Sequence, residues 1–191
     1  MSQPLPKWLW LLGMDPSMSN WGISCARYNT VTGEIKITHV DVIQTKLVKQ
    51  KGVRANSLDI DRAAFVLEGI LPYVQQANAI FVEVPVGSQS AAAMKSYAMC
   101  VSLLAALRVG GYPFHQLTPT QVKLIATDDP EASKKDMIQW AMTTHPTAPW
   151  AMQKKHGVMV PVENKVEHMA DATAAIHAGI ELEAFQQTLK E

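Results

Sequence analysis

The chain has 191 residues, of which 48% are hydrophobic and 18% charged, a length and composition that suit one α/β domain around a single core and exclude a disordered chain. Lysine and arginine together number 17, as do aspartate and glutamate, so the formal net charge is zero. That balance removes the simple argument for a nucleic-acid partner without excluding one, because a basic face can be offset by acidic residues elsewhere.

Residues 1–7, with Pro4 and Pro6, are expected to form a leader, and residues 8–190 a single domain. The apolar run Trp8-Leu9-Trp10-Leu11-Leu12-Gly13-Met14 fits a strand buried on both faces. It is too short to span a membrane, and Asp15 and Pro16 interrupt it before it could serve as a signal peptide. Asp15-Pro16-Ser17-Met18-Ser19-Asn20 reads as a turn. Trp21–Tyr28 and Glu34–Ile43, separated by a turn at residues 29–33, predict two more strands and so an antiparallel meander. Residues 44–56, carrying Lys46, Lys49, Lys51 and Arg54, predict a basic loop. Ser57–Gln76 has helical spacing, with Pro72 expected to kink or end the helix early.

Ala79–Val82 predicts a short buried strand running into Glu83, and Gly87-Ser88-Gln89-Ser90 a loop. Ala91–Val109 predicts a helix closed by Gly110-Gly111, and Pro113–Leu117 another strand. Thr118-Pro119 has the chemistry of a helix start. Ser133-Lys134-Lys135-Asp136 has the spacing of a capping box for a helix reaching about Thr144. Residues 145–161 predict a loop, and Val162 to about Leu189 a closing helix. The order β-β-β-α-β-α-β-α-α argues for an α/β fold with a mixed sheet and helices on both faces. Cys25 and Cys100 lack metal or disulfide spacing and sit among apolar residues, which predicts buried free thiols and a reducing, cytoplasmic compartment.

Three acidic residues fall where charge is costly. Asp15 ends the first buried strand, Glu83 ends the fourth, and Asp171 lies early in the last helix, in His168-Met169-Ala170-Asp171-Ala172. Brought together, such carboxylates are stable mainly around cations, and hard oxygen ligands suit Mg²⁺ or Mn²⁺. Asp15, Asp171 and His168 each have an ordinary alternative: a turn residue, an exposed helix residue and a structural histidine. Ala170, Ala174, Ala175, Ala178 and Gly179 give the last helix a small-residue surface suited to close packing, and His168 and Asp171, three apart, share a face.

The motifs resemble those of RuvC-type Holliday-junction resolvases, within the RNase H-like superfamily. Gly13-Met14-Asp15-Pro16-Ser17 followed by Gly22 is similar to the first-strand motif, and Phe81-Val82-Glu83 to the strand-four glutamate. Thr120-Gln121-Val122-Lys123, Ala132-Ser133-Lys134-Lys135-Asp136-Met137 and His168-Met169-Ala170-Asp171-Ala172 resemble three later segments, all in family order over about residues 8–182. The resemblance implies an RNase H-like fold: a five-stranded mixed sheet, meander then βαβαβ, with helices on both faces. It implies Asp15, Glu83, His168 and Asp171 as the metal-binding and catalytic set, with two Mg²⁺ ions per site and Mn²⁺ as substitute. Asp15 would bridge the ions, Glu83 and Asp171 would each hold one, and His168 would ligate or orient the attacking water. Lys123 and Lys134 would neutralise the scissile phosphate; by residue type alone each is a solvated surface charge.

The implied activity is cleavage of four-way junctions or other branched DNA, leaving a 5′-phosphate and a 3′-hydroxyl, by a homodimer with no membrane association. The compactness resembles members from phage or other mobile elements. Met94, Tyr97, Ala98, Val101 and Leu104 form an apolar stripe that is either the dimer surface or core. Lys154, Lys155 and His156 are expected to contact DNA, the alternative being a solvated loop. The sequence departs from the family where some members place an aromatic wedge after the strand-four glutamate: Val84-Pro85-Val86-Gly87-Ser88 supplies none. Competing expectations are a nuclease of the same fold for flaps, forks, branched packaging intermediates or RNA–DNA hybrids, and a catalytically silent binder of branched DNA. An actin-like ATPase would need a second subdomain and glycine-rich phosphate loops.

Overall fold

The computed structural model describes residues 6–46, 55–87 and 90–190. Strands β1 (Trp8–Asp15), β2 (Asn20–Asn29) and β3 (Ile35–Gln44) form the expected meander. Helix α1 (Ala55–Val74) leads to β4 (Ala79–Glu83), α2 (Ala91–Val109) and β5 (His115–Leu117). Helices α3 (Pro119–Thr127) and α4 (Lys134–Thr144) follow, then the hairpin β6 (Met152–Lys155) and β7 (Val158–Pro161), and finally α5 (Glu163–Ile180) and α6 (Glu183–Thr188). The main sheet has the order β3-β2-β1-β4-β5, with β4 parallel to β1 and to β5.

Alternation along the strands explains the apolar run from Leu11 to Met14 in β1. Leu12 and Met14 pack with Ile23, Ile80 and Val82 beneath α1 and α2, against Val66, Ile70, Leu104 and Leu107. Leu9 and Leu11 face the other way and pack with Ala26, Phe81 and Leu117 beneath α3, α4 and α5, against Val122, Met137, Ala174 and Ile176. This is the α/β, RNase H-like arrangement, a five-stranded mixed sheet with helices on both faces.

Helix α5 lies almost on the sheet. A Cβ at Gly13 would overlap the Ala172 carbonyl oxygen, one at Gly22 the His168 carbonyl oxygen, and one at Gly179 the Phe81 ring. Thr173 and Ser24, both fully buried, add a hydrogen bond of 2.9 Å between the two layers. The obstacle at Gly13 is backbone, which cannot rotate away. Gly13→Ala is therefore expected to destabilise the fold by at least about 1–3 kcal/mol, read as a lower denaturation midpoint in urea.

Several expectations need correction. Residues 145–161 are not simply a loop, since β6 and β7 pair across Lys155-His156-Gly157-Val158. His156 and Gly157 have φ of 50° and 85°, the two left-handed residues of a tight hairpin turn. The closing helix is two, not one. Leu182 is extended (φ −65°, ψ 131°), and the break lets α6 bury Phe185 edge-on against Phe81 and Tyr28. Cys25 is half-buried, whereas Cys100 is buried; both are free thiols. The stripe on α2 is split: Leu104 is buried, Tyr97 and Val101 are half-buried, and Met94 and Ala98 are exposed. Helix α2 is long and apolar enough to cross a membrane by length and composition. Even so, Cys100, Leu103, Leu104 and Leu107 commit one side of it to the core. Lys49, Lys51 and Arg54 of the expected basic loop, Ser88 and Gln89 of the second, and residues 1–5 of the leader lie outside the described residues.

Candidate active site

Strand pairing places the first two carboxylates. Met14 of β1 pairs with Val82 of β4 in parallel, so the next residues, Asp15 and Glu83, end neighbouring strands. Both lie on the face shared by Gly13 and Phe81, which is the α5 face. The turn after Asp15 is held in place: Arg62 Nη2 donates to the Met18 carbonyl oxygen at 2.8 Å, and the Thr45 hydroxyl donates to the same oxygen. Helix α5 supplies the rest. His168 Nδ1 lies 2.6 Å from Asp15 Oδ2, and Asp171, one turn further on, lies in the same cluster.

Electrostatics register the crowding. Burial, and then the charge of Asp15, push Glu83 up to about 8, with Lys123 pulling weakly the other way. Burial, then the charges of Asp15, Glu83 and Glu167, hold Asp171 well above the usual carboxylate range. Burial works against protonation of His168, but its hydrogen bond to Asp15 and the charges of Asp15, Glu167 and Asp171 outweigh it, and its pKa is raised.

The predicted lysines separate into two groups. Lys123, half-buried on α3, is close enough to act on Glu83. The reciprocal bonds of Thr118 and Gln121 fix the start of that helix. Lys134 opens α4 behind the Ser133–Asp136 capping box, and its ammonium lies 2.5 Å from Glu167 Oε1. Lys154 and Lys155 do not join the cluster; they lie exposed on β6.

Glu167 is the residue that sequence reasoning missed. It links Lys134 to the carboxylates and raises the pKa of Asp171. Its signal was the i,i+4 pair Glu167/Asp171, two like charges on one helix face, which is unfavourable unless something offsets it.

The donor chemistry fits a hard divalent cation: three carboxylates on separate elements, two of them held from ionising by burial and mutual repulsion. Among the described residues, no three histidine, cysteine, aspartate or glutamate side chains are already disposed around an ion. Asp15 Oδ2 is engaged by His168 instead.

No protein-family model and no curated protein sequence matches the chain. It is similar in structure to RuvC of Thermus thermophilus, solved in complex with a Holliday junction substrate, at a TM-score of 0.62 and 19% identity over 94% of this chain and 97% of that one. It is similar also to another structure of Thermus thermophilus RuvC, at a TM-score of 0.59 and 19% identity over 95% of this chain and 97% of that one. At that identity the likeness speaks for architecture alone, and the chain has a RuvC-type fold.

Proposed function

We propose that the chain is a metal-dependent endonuclease that cuts branched DNA, with the four-way junction as its first substrate. The observation that carries this reading is the convergence of Asp15, Glu83 and Asp171 at one end of the sheet, where burial and the repulsion of neighbouring carboxylates hold Glu83 and Asp171 above their ordinary pKa values. Similarity to a RuvC solved with a Holliday junction substrate supports the choice of substrate.

Two Mg²⁺ ions, with Mn²⁺ as substitute, would supply the Lewis acidity that activates water and balances charge on the phosphate. Asp15 would be shared between them, and Glu83 and Asp171 would each hold one. His168, with Nδ1 on Asp15, is left with Nε2 to orient the attacking water. Lys123, which acts on Glu83, and Lys134, paired with Glu167, would balance phosphate charge. Water attack at phosphorus with breakage of the bond to the 3′ oxygen leaves a 5′-phosphate and a 3′-hydroxyl. Lys154 and Lys155 would add contacts to the DNA backbone.

Symmetrical cutting of two strands needs two sites. The half-exposed side of α2, with Met94, Tyr97, Ala98 and Val101, is the surface we assign to a second copy of the chain. Sedimentation at micromolar concentration is expected to give a dimer, and a monomer there would remove that assignment.

The deciding experiment incubates the protein with a mobile four-way junction, with and without Mg²⁺, and maps the cuts. Paired cuts at symmetrical positions are expected only with the ion. A junction that is bound but never cut in Mg²⁺ or Mn²⁺ would identify a silent binder. Preferential cutting of flaps, forks or RNA–DNA hybrids in a labelled panel would reassign the substrate.

A further inference from the structure

Helix α5 runs antiparallel to β1, because His168 packs on Gly22 beside Asp15 whereas Ala172 and Ile176 pack on Gly13, further back along the strand. Its first residue, Glu163, lies five residues before His168, roughly 7.5 Å further along the helix axis. The N-terminal end of α5 therefore overhangs the edge where Asp15 and Glu83 lie, and the β6–β7 hairpin grows directly from that overhang. Its base is fixed: the Val162 amide donates to the Ala151 carbonyl oxygen at 2.8 Å, and buried Trp150 donates from Nε1 to the His145 carbonyl oxygen at 3.0 Å. Beyond that base every residue from Met152 to Met159 is exposed.

The composition of the hairpin is unusual for a solvated loop. Residues 145–162 contain no aspartate or glutamate, while Lys154, Lys155 and His156 crowd the tip. The apolar residues are exposed too: Met152 at 38%, Val158 at 63% and Met159 at 57%. Pairing puts Lys154 beside Met159 on one face of the ribbon and Lys155 beside Val158 on the other, so each face carries a cation next to an apolar side chain. The turn at His156-Gly157 keeps the tip narrow. Four residues per strand give a reach of roughly 13 Å, and a two-stranded ribbon is thin enough to enter a DNA groove. Apolar side chains on a basic element are the means by which proteins pry stacked bases apart.

Building on the nuclease reading, we propose that the β6–β7 hairpin is the element that holds the branch point open. Lys154 and Lys155 grip phosphates on either side, while Val158 and Met159 stack against bases unpaired at the crossover. The hairpin thereby adds a wedge at the end of the sheet where the stretch after Glu83 carries no aromatic side chain.

The test uses an immobile four-way junction with 2-aminopurine beside the crossover, and a linear duplex of matching sequence, both without Mg²⁺. The wild-type chain is expected to raise 2-aminopurine fluorescence on the junction and leave the duplex signal flat. The pair V158S/M159S is expected to keep junction affinity within about 3-fold and to lose most of that fluorescence gain. The pair K154A/K155A is expected to weaken junction binding by about 10- to 100-fold at 0.1 M salt and to lower the salt slope by about 2. Unchanged melting temperatures confirm that both variants fold. Wild-type fluorescence from V158S/M159S overturns the unstacking role, and an unchanged salt slope from K154A/K155A overturns the phosphate grip. Either result leaves the nuclease reading standing if the wild-type chain still cuts the junction in Mg²⁺. A wild-type chain that binds no junction overturns both.

Discussion

Asp15→Asn and Glu83→Gln are each expected to lower the rate of junction cleavage at least about 100-fold while leaving junction binding intact or tighter. The substituted amides keep the shape of the carboxyl groups and remove the charge. Cleavage suffers because one ligand of the proposed ion pair is lost, and with it the balance of charge on the phosphate. Binding escapes because Asp15→Asn removes a carboxylate that repels the DNA backbone, and because Glu83, protonated below about pH 8 when the ion is absent, has little charge to lose. Single-turnover cleavage in Mg²⁺ and fluorescence anisotropy in EDTA separate the two effects. Cutting at a near-normal rate by either variant would falsify the assignment of that residue as a ligand.

Without divalent ions, the melting temperature is expected to fall as pH rises from 6.5 to 8.5. Glu83 ionises at about 8 in the folded chain and at its ordinary value of 4.5 once unfolded. Between those values the folded chain holds a proton that the unfolded chain has released, so raising the pH favours unfolding. Asp171 and His168, whose pKa values are also raised, act in the same direction. For Glu83 alone the loss over that window is on the order of 2 kcal/mol, which for a chain of this size moves Tm by roughly 4–8 °C. Mg²⁺ is expected to restore more stability at pH 8.5 than at pH 6.5, since it competes with protons for the same oxygens. Glu83→Gln should flatten the dependence.

Below pH 6.5 a second pair of groups opposes that trend. His145 and His177 face each other with their Nε2 atoms 2.8 Å apart. Burial lowers both, and burial with the charge of His145 brings His177 to about 4. There the unfolded chain binds protons that the folded chain refuses, so this pair costs stability in acid. Scanning calorimetry across pH 5 to 9 without the ion should show stability changing little below pH 6.5 and falling more steeply above it, and an equal slope on both sides would contradict the electrostatic picture.

The main sheet was legible because its signals are local. Trp8–Met14 is apolar throughout, since Leu11 faces one core and Leu12 the other, and the capping boxes at Thr118 and Ser133 mark their helices within four residues. Asp15, Glu83 and Asp171 stood out because each sits in an apolar stretch. What escaped depends on contacts distant in sequence. No proline separates α5 from α6; the chain turns there to place Phe185 beside Phe81. The hairpin lacks an Asn-Gly or Asp-Gly turn, and its adjacent lysines hide the alternation. Glu167 takes its place in the cluster from Lys134, which comes from another helix.

The seating of α5 on Gly13, Gly22 and Gly179 has a bearing on ion choice. Three points of zero clearance set how near the helix can come to the sheet, and the Thr173–Ser24 hydrogen bond ties it down there. The gap between Asp171 and the strand-end carboxylates is then set by main chain, and only the side-chain torsions can adjust it. Such a gauge discriminates between ions whose oxygen distances differ by a few tenths of an ångström, about 2.0–2.1 Å for Mg²⁺ against about 2.3–2.6 Å for Ca²⁺. Selectivity of this kind would come from three hydrogens that stand where side chains could have been.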